Sequence, residues 1–199
     1  MKKLFLQITT LFICFFTIAQ NKKTEVKPEN NTSETRTFID NSEKTRINKD
    51  WSLSAEFKSG IGEKVTFFPV QIIDIDTKKT INAIELEMLT ITGAAPFRPG
   101  TPELSSIWID YDEIDSFIAF IENNIIPNLD VKYKDKSSEF IFQAKELTLK
   151  FLIHEKRQRL TIEINNSDAM PFWTETQVDN FPKLLPMLKK VKNKELKFE

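Results

Sequence analysis

Apolar and polar positions along this chain repeat with two periods. Trp51, Leu53, Ala55 and Phe57 alternate with Ser52, Ser54 and Glu56, the period of a strand with one face on a core and one in water. Residues 59–63 hold Gly60 and Gly62, which tolerate positive φ, and close a turn into a second strand over 65–75, where Pro69 marks an edge or a bulge. Residues 81–92 predict a third strand, with Ile84, Leu86 and Met88 dry and Glu85 and Glu87 wet. A fourth is expected over 105–110. The period then lengthens to that of a helix: Ile114, Phe117, Ile118, Ile121 and Ile125 share one stripe, with Asp112 as N-cap, Asp115 in the first turn and Pro127 as the stop.

The same order follows a polar connector over 128–138. Residues 140–142, 147–154 and 160–164 read as strands, with 155–159 as a hairpin and 169–173 as a short fourth strand. Pro182 and Pro186 divide the second helix, leaving one turn after Thr176 and a new start at Pro182. Residues 172–185 lie over 108–121 without a gap, matching Val178-Asp179-Asn180-Phe181 to Ile114-Asp115-Ser116-Phe117. A tandem ββββα repeat and two helix starts that solve one capping problem independently explain this equally well. Either way, the fold class is α+β, with antiparallel sheets and two helices.

Ahead of this body, Lys2, Lys3, an apolar run over 4–18 and Thr17-Ile18-Ala19 have the form of a secretory signal peptide spanning 1–19. The apolar run is shorter than the ~20 residues that cross a bilayer. Residues 20–48 are rich in Asn, Lys, Thr, Glu and Ser and read as a disordered linker. A single α+β domain over 49–199 follows, with possible halves at 49–127 and 128–193. The expected destination is the periplasm or the exterior of a bacterial cell.

Composition narrows the chemistry. The one cysteine, Cys14, lies inside the leader, so the exported body has no thiol for disulfides, thiolate nucleophiles or cysteine metal sites. With 17 Phe and 40% hydrophobic residues the chain can fill one sizeable core. Loss of Lys2 and Lys3 leaves 26 of the 28 basic residues against 29 acidic ones, a net charge of about −3 that argues against a nucleic-acid partner.

The candidate residues are few. Asp110, Tyr111, Asp112, Glu113 and Asp115 form a carboxylate cluster that could bind a hard cation or act as acid and base, but helix capping accounts for such residues at a helix start. His154, the only histidine, falls on the wet side of its strand. The basic residues Lys156, Arg157 and Arg159, and Lys189 to Lys194, read as solvated. In the loop over 93–106, Phe97 and Arg98 sit between Pro96 and Pro99, a stiff presentation of two residue types enriched at binding hot spots. Trp108 and Tyr111 complete the proposed binding set. No cofactor and no metal are expected. The leading expectation is a non-enzymatic, exported binding or protein-interaction module of the cell envelope, with an envelope protein or a small ligand as partner. The alternatives are an envelope hydrolase using the Asp110–Asp115 carboxylates with Tyr111 or His154, and single-stranded nucleic-acid or polyanion binding by an exposed sheet face.

Overall fold

A computed structural model describes residues 32–92 and 100–198. Helix α1 (Glu34–Asn41) comes first, followed by strand β1 (Thr45–Lys49). After a 3₁₀ turn at Trp51–Leu53 come β2 (Ala55–Lys58), β3 (Lys64–Asp74), β4 (Thr80–Thr92) and β5 (Thr101–Ile109). Helix α2 (Ile114–Phe120) opens with a 3₁₀ turn at Tyr111–Glu113 and runs on through a π segment, Ile121–Ile125. Then follow β6 (Ser137–Gln143), β7 (Leu147–His154), β8 (Arg157–Ile164), β9 (Phe172–Thr174), a 3₁₀ segment at Val178–Lys183 and helix α3 (Leu184–Lys192). All strand pairs are antiparallel, in a five-stranded sheet β1-β3-β4-β5 with β2 also on β3, and a four-stranded sheet β6-β7-β8-β9. The fold is α+β, as the two periods predict.

Both sheets turn one face onto a shared core. Phe67, Leu86 and Ile109 from the first sheet and Leu149, Phe151 and Ile162 from the second are buried with Ile114, Phe117 and Ile121 of α2 and Leu184, Leu188 and Val191 of α3. Phe117 sits at the junction, stacked on Phe142 at 4.9 Å and edge-on to Phe181 at 6.1 Å. In the gapless overlay of the two helix starts, Phe117 and Phe181 therefore share the core. The strands do not keep phase, since Trp108 is buried on the sheet face that α1 covers and Phe172 in the shared core.

Five expectations need correction, the first being the loop over 93–106, whose residues from Thr101 onward are strand β5 paired with β4. Residues 33–48 are not a linker, because α1 and β1 lie there; residues 20–31, like the leader, lie outside the described residues. Their apolar content is small, but Phe38 and Ile39 pack on a second cluster of Phe68, Val70, Ile72, Ala83 and Trp108. Tertiary contact, not helix periodicity, supports α1. The supposedly wet face of β4 is consequently covered: Glu85 is 3% exposed and meets Lys49 Nζ at 2.9 Å, and Glu87 takes the same ammonium at 2.5 Å. Burial works against the charge on Lys49, yet the hydrogen bonds to Glu87 and Glu85 outweigh it and raise its pKa.

Residues 51–57 are not one strand. The chain steps off β3 between Lys49 (opposite Val70) and Ala55 (opposite Phe67), and Trp51, 68% exposed, lies edge-on to Phe68 at 4.7 Å. Pro69 stands opposite this step, where its carbonyl accepts from Asp50 N–H at 3.2 Å and its missing N–H costs no ladder bond. Finally, the hairpin between β7 and β8 is a two-residue turn, with Glu155 at φ 53°, so Arg157 and Arg159 belong to β8. Among the described residues, no helix is long and apolar enough to cross a membrane.

Candidate functional site

The carboxylate cluster is built where β5 ends. Asp110 caps the turn that starts α2, and Glu113 reaches back so that its Oε2 accepts from Asp110 N–H at 2.9 Å. The cap is thus Asp110, not the expected Asp112. The carboxylate of Asp110, 1% exposed, points to the N-terminus of α1. Its Oδ1 accepts from Ser33 Oγ at 2.6 Å and Thr35 N–H at 3.0 Å, and its Oδ2 from Glu34 N–H at 2.7 Å and Lys145 Nζ at 3.0 Å. An anion at a helix N-terminus satisfies amides that the helix cannot and complements its dipole. Here the protein supplies that anion itself.

Lys145 completes the arrangement. Its ammonium also meets Asp112 at 3.0 Å, and its backbone N–H donates to Glu113 Oε1 at 2.7 Å. Next to it, Glu146 receives both Nε (2.5 Å) and a terminal nitrogen (2.9 Å) of Arg36, and its Oε2 also accepts from Trp108 N–H at 3.0 Å. Burial disfavours the charge on Asp110, but hydrogen bonds from Ser33, Thr35 and Lys145 prevail and hold its carboxyl below the ordinary 3.8. Burial dominates at Glu113 and lifts its carboxyl above the ordinary 4.5. Lys145 loses solvation, yet its hydrogen bonds to Asp112 and Asp110 raise its pKa well above the ordinary value.

Asp110, Asp112 and Glu113 can bring three carboxylate oxygens within 4.8 Å of one another. This arrangement does not suit a cation. Both oxygens of Asp110 and both of Glu113 are taken by donors, and an ammonium already occupies the centre. Asp115 pairs with Lys192. His154 ends β7, paired with Ser137 and Arg157 beside a depression of about 170 Å³. Seven residues of extended strand, about 23 Å, separate it from Leu147, where β7 leaves the carboxylates. His154 is therefore not brought to the carboxylates, whereas Tyr111 adjoins Asp110 on the wall of one cavity.

Of the binding residues expected from sequence, Phe97 and Arg98 lie outside the described residues. Trp108 is 4% exposed in the cluster beneath α1, so its ring is no ligand platform. Tyr111 is half-buried, donates its hydroxyl to the Lys192 carbonyl at 2.8 Å, and has the ammonium groups of Lys192 and Lys194 over its ring at 5.4 and 5.6 Å.

Tyr111 borders the feature that sequence reasoning missed, a groove along one flank of α1. It consists of two adjoining cavities of about 510 and 520 Å³ that share Glu34 and Phe38 as walls. The first is lined by Phe38, Thr80, Ile81, Asn82, Tyr111 and Lys194; the second runs to Asn41, Asp74 and Lys79. Asn82 Oδ1 is buried and accepts no hydrogen bond. The carboxylates on the wall are engaged: Asp110 as above, Asp74 by Ser42 and the amides of Asp76 and Thr77, and Glu34 with Lys145 at 3.8 Å. Lys79 and Lys194 have no carboxylate within ion-pair distance among the described residues. No protein-family model and no curated protein matches the chain.

Proposed function

We propose that this chain is an exported, non-enzymatic binding module of the cell envelope, and that the groove beside α1 is its binding surface. The groove carries this reading: it is concave, with an apolar floor at Phe38 and Ile81 and an aromatic wall at Tyr111, and its mostly polar rim, with Glu34, Thr80, Asn82 and Lys194, offers hydrogen bonds and charge to a ligand. Beside it, the buried carboxylates Asp110 and Glu113 are held by backbone amides and Lys145, an arrangement that serves structure and does not favour the hydrolase. The apparent leader over 1–19 supports export.

Glu34 projects between the two cavities with its side chain 76% exposed, so Glu34→Trp fills the groove without touching the core. In pull-downs from envelope extract, the wild-type protein is expected to retain a partner at least tenfold better than this variant, with the two melting within a few degrees of each other. Equal retention by both would remove the groove from the account.

A further inference from the structure

Resting on that reading of the groove, we propose that its occupant is an extended, acidic peptide segment of another protein. The segment adds as a strand to the uncovered start of β4, along the line that β5 leaves at Asp110. β4 begins at Thr80, but its pairing with β5 begins only at Ile84, opposite Ile109. Residues 80–83 are bonded on the β3 side alone, from Thr80 opposite Ile73 to Ala83 opposite Val70.

Ladder parity fixes which backbone groups are left over. Ser106 C=O and Trp108 N–H point away from β4, to Arg36 and Glu146, so Ile107 and Ile109 exchange the bonds with Leu86 and Ile84. Even-numbered residues of β4 therefore face β5, and odd-numbered ones face β3. At Thr80 and Asn82 the outward N–H and C=O meet no strand, and both residues line the first cavity. An unpaired strand edge inside a concave, partly apolar site suits strand addition, in which main-chain bonds supply affinity and side-chain pockets supply selectivity.

The surroundings define the peptide. Side chains on one face of an added strand meet Phe38 and Ile81, and those on the other meet Tyr111 and the unsatisfied Asn82 Oδ1, which requires a donor. Lys79 immediately precedes the exposed edge and Lys194 stands at the Tyr111 end. Among the described residues these two lysines carry no ion pair, so they call for carboxylates at the two ends of a short β-forming stretch that stays uncharged opposite the exposed Glu34 between the cavities. The free edge spans three residues, about 7–10 Å, so binding is short-range and depends on these flanking charges.

The test uses the ¹⁵N-labelled protein and three blocked peptides: Asp-Val-Thr-Val-Asp, its twin with both acids replaced by lysine, and a form N-methylated at both valines. The first is expected to shift and protect the Thr80 and Asn82 amides in a saturable titration. The lysine and N-methyl forms should each bind at least tenfold more weakly. Thr80→Pro removes one groove-facing donor at the first residue of β4, where proline is tolerated, and Asn82→Pro removes the other. Each should weaken the acidic peptide at least tenfold, and Thr80→Pro serves alone if Asn82→Pro fails to fold. Equal binding of the N-methyl form, shifts confined to other regions, or no binding at millimolar peptide would overturn the inference. Loss of partner capture by Glu34→Trp but not by Thr80→Pro would leave the groove as a binding surface and remove strand addition. If neither variant affects capture, both readings fall.

Discussion

Asp110 shows how a residue type that suggests chemistry can be wholly committed to structure. Its carboxylate is buried and receives four donors, two from the backbone of α1 and one each from Ser33 and Lys145. Asp110→Ala leaves those donors without an acceptor and is expected to lower unfolding free energy by about 3 kcal/mol, as read by urea denaturation. Asp110→Asn keeps one acceptor oxygen and should cost less. The two shifted carboxyls act in opposite senses with pH. Asp110, held below 3.8, stabilises the fold above that value, and the contribution is lost as pH falls through its folded pKa. Glu113, held above 4.5, costs stability when ionised and returns it on protonation. The stability gap between wild type and Asp110→Asn should thus be flat from pH 7 to about 5 and close below about 3.8. A gap of the same size at pH 2 as at pH 7 would contradict this role. The sequence makes the acidic cluster plain but not its task, because three of the four donors to Asp110 lie more than 70 positions earlier, in a segment with little apolar content, and the fourth, Lys145, lies 35 positions later.

At the scale of elements, hydrophobic period was enough wherever one face is buried by the chain's own neighbours in the fold. β4 and β7 lie where alternation places them, and the stripe of α2 is buried as its spacing implies. It fails where packing partners are remote. Trp51 continues an alternation but sits on the outside of Phe68, and α1 is held by one apolar pair and by polar contacts that no local pattern announces. The edge of β5 is guarded in the same way. Pro102 has no N–H to offer, while Arg36 and Glu146 occupy Ser106 C=O and Trp108 N–H. Glu146→Ala frees that edge and orphans Trp108 N–H. Expected outcomes are a loss of about 1–3 kcal/mol in chemical denaturation and faster growth of light scattering on heating.

Over the whole molecule, two sheets and two helices meet in one core, so its halves should not unfold independently. Phe117→Ala and Phe181→Ala each remove a fully buried ring and should cost about 3–5 kcal/mol. Because the rings touch, the double variant should lose less than the sum of the two, as measured by a double-mutant cycle. The core was legible from apolar periodicity. The groove was not, since it arises where α1, the start of β4, Tyr111 and Lys194 converge from four separate stretches of chain.

The docking of α1 onto Asp110 creates that groove, and amide hydrogen exchange measures the docking directly. Glu34 and Thr35 stand in the first turn of a short helix, where amides lack intrahelical partners and exchange quickly unless something else holds them. The account predicts that both are protected in the wild-type protein to a degree comparable with the paired amides of β3 and β4, and that Asp110→Ala selectively releases them. Exchange of Glu34 and Thr35 at the rate of an unfolded chain in the wild-type protein would contradict it.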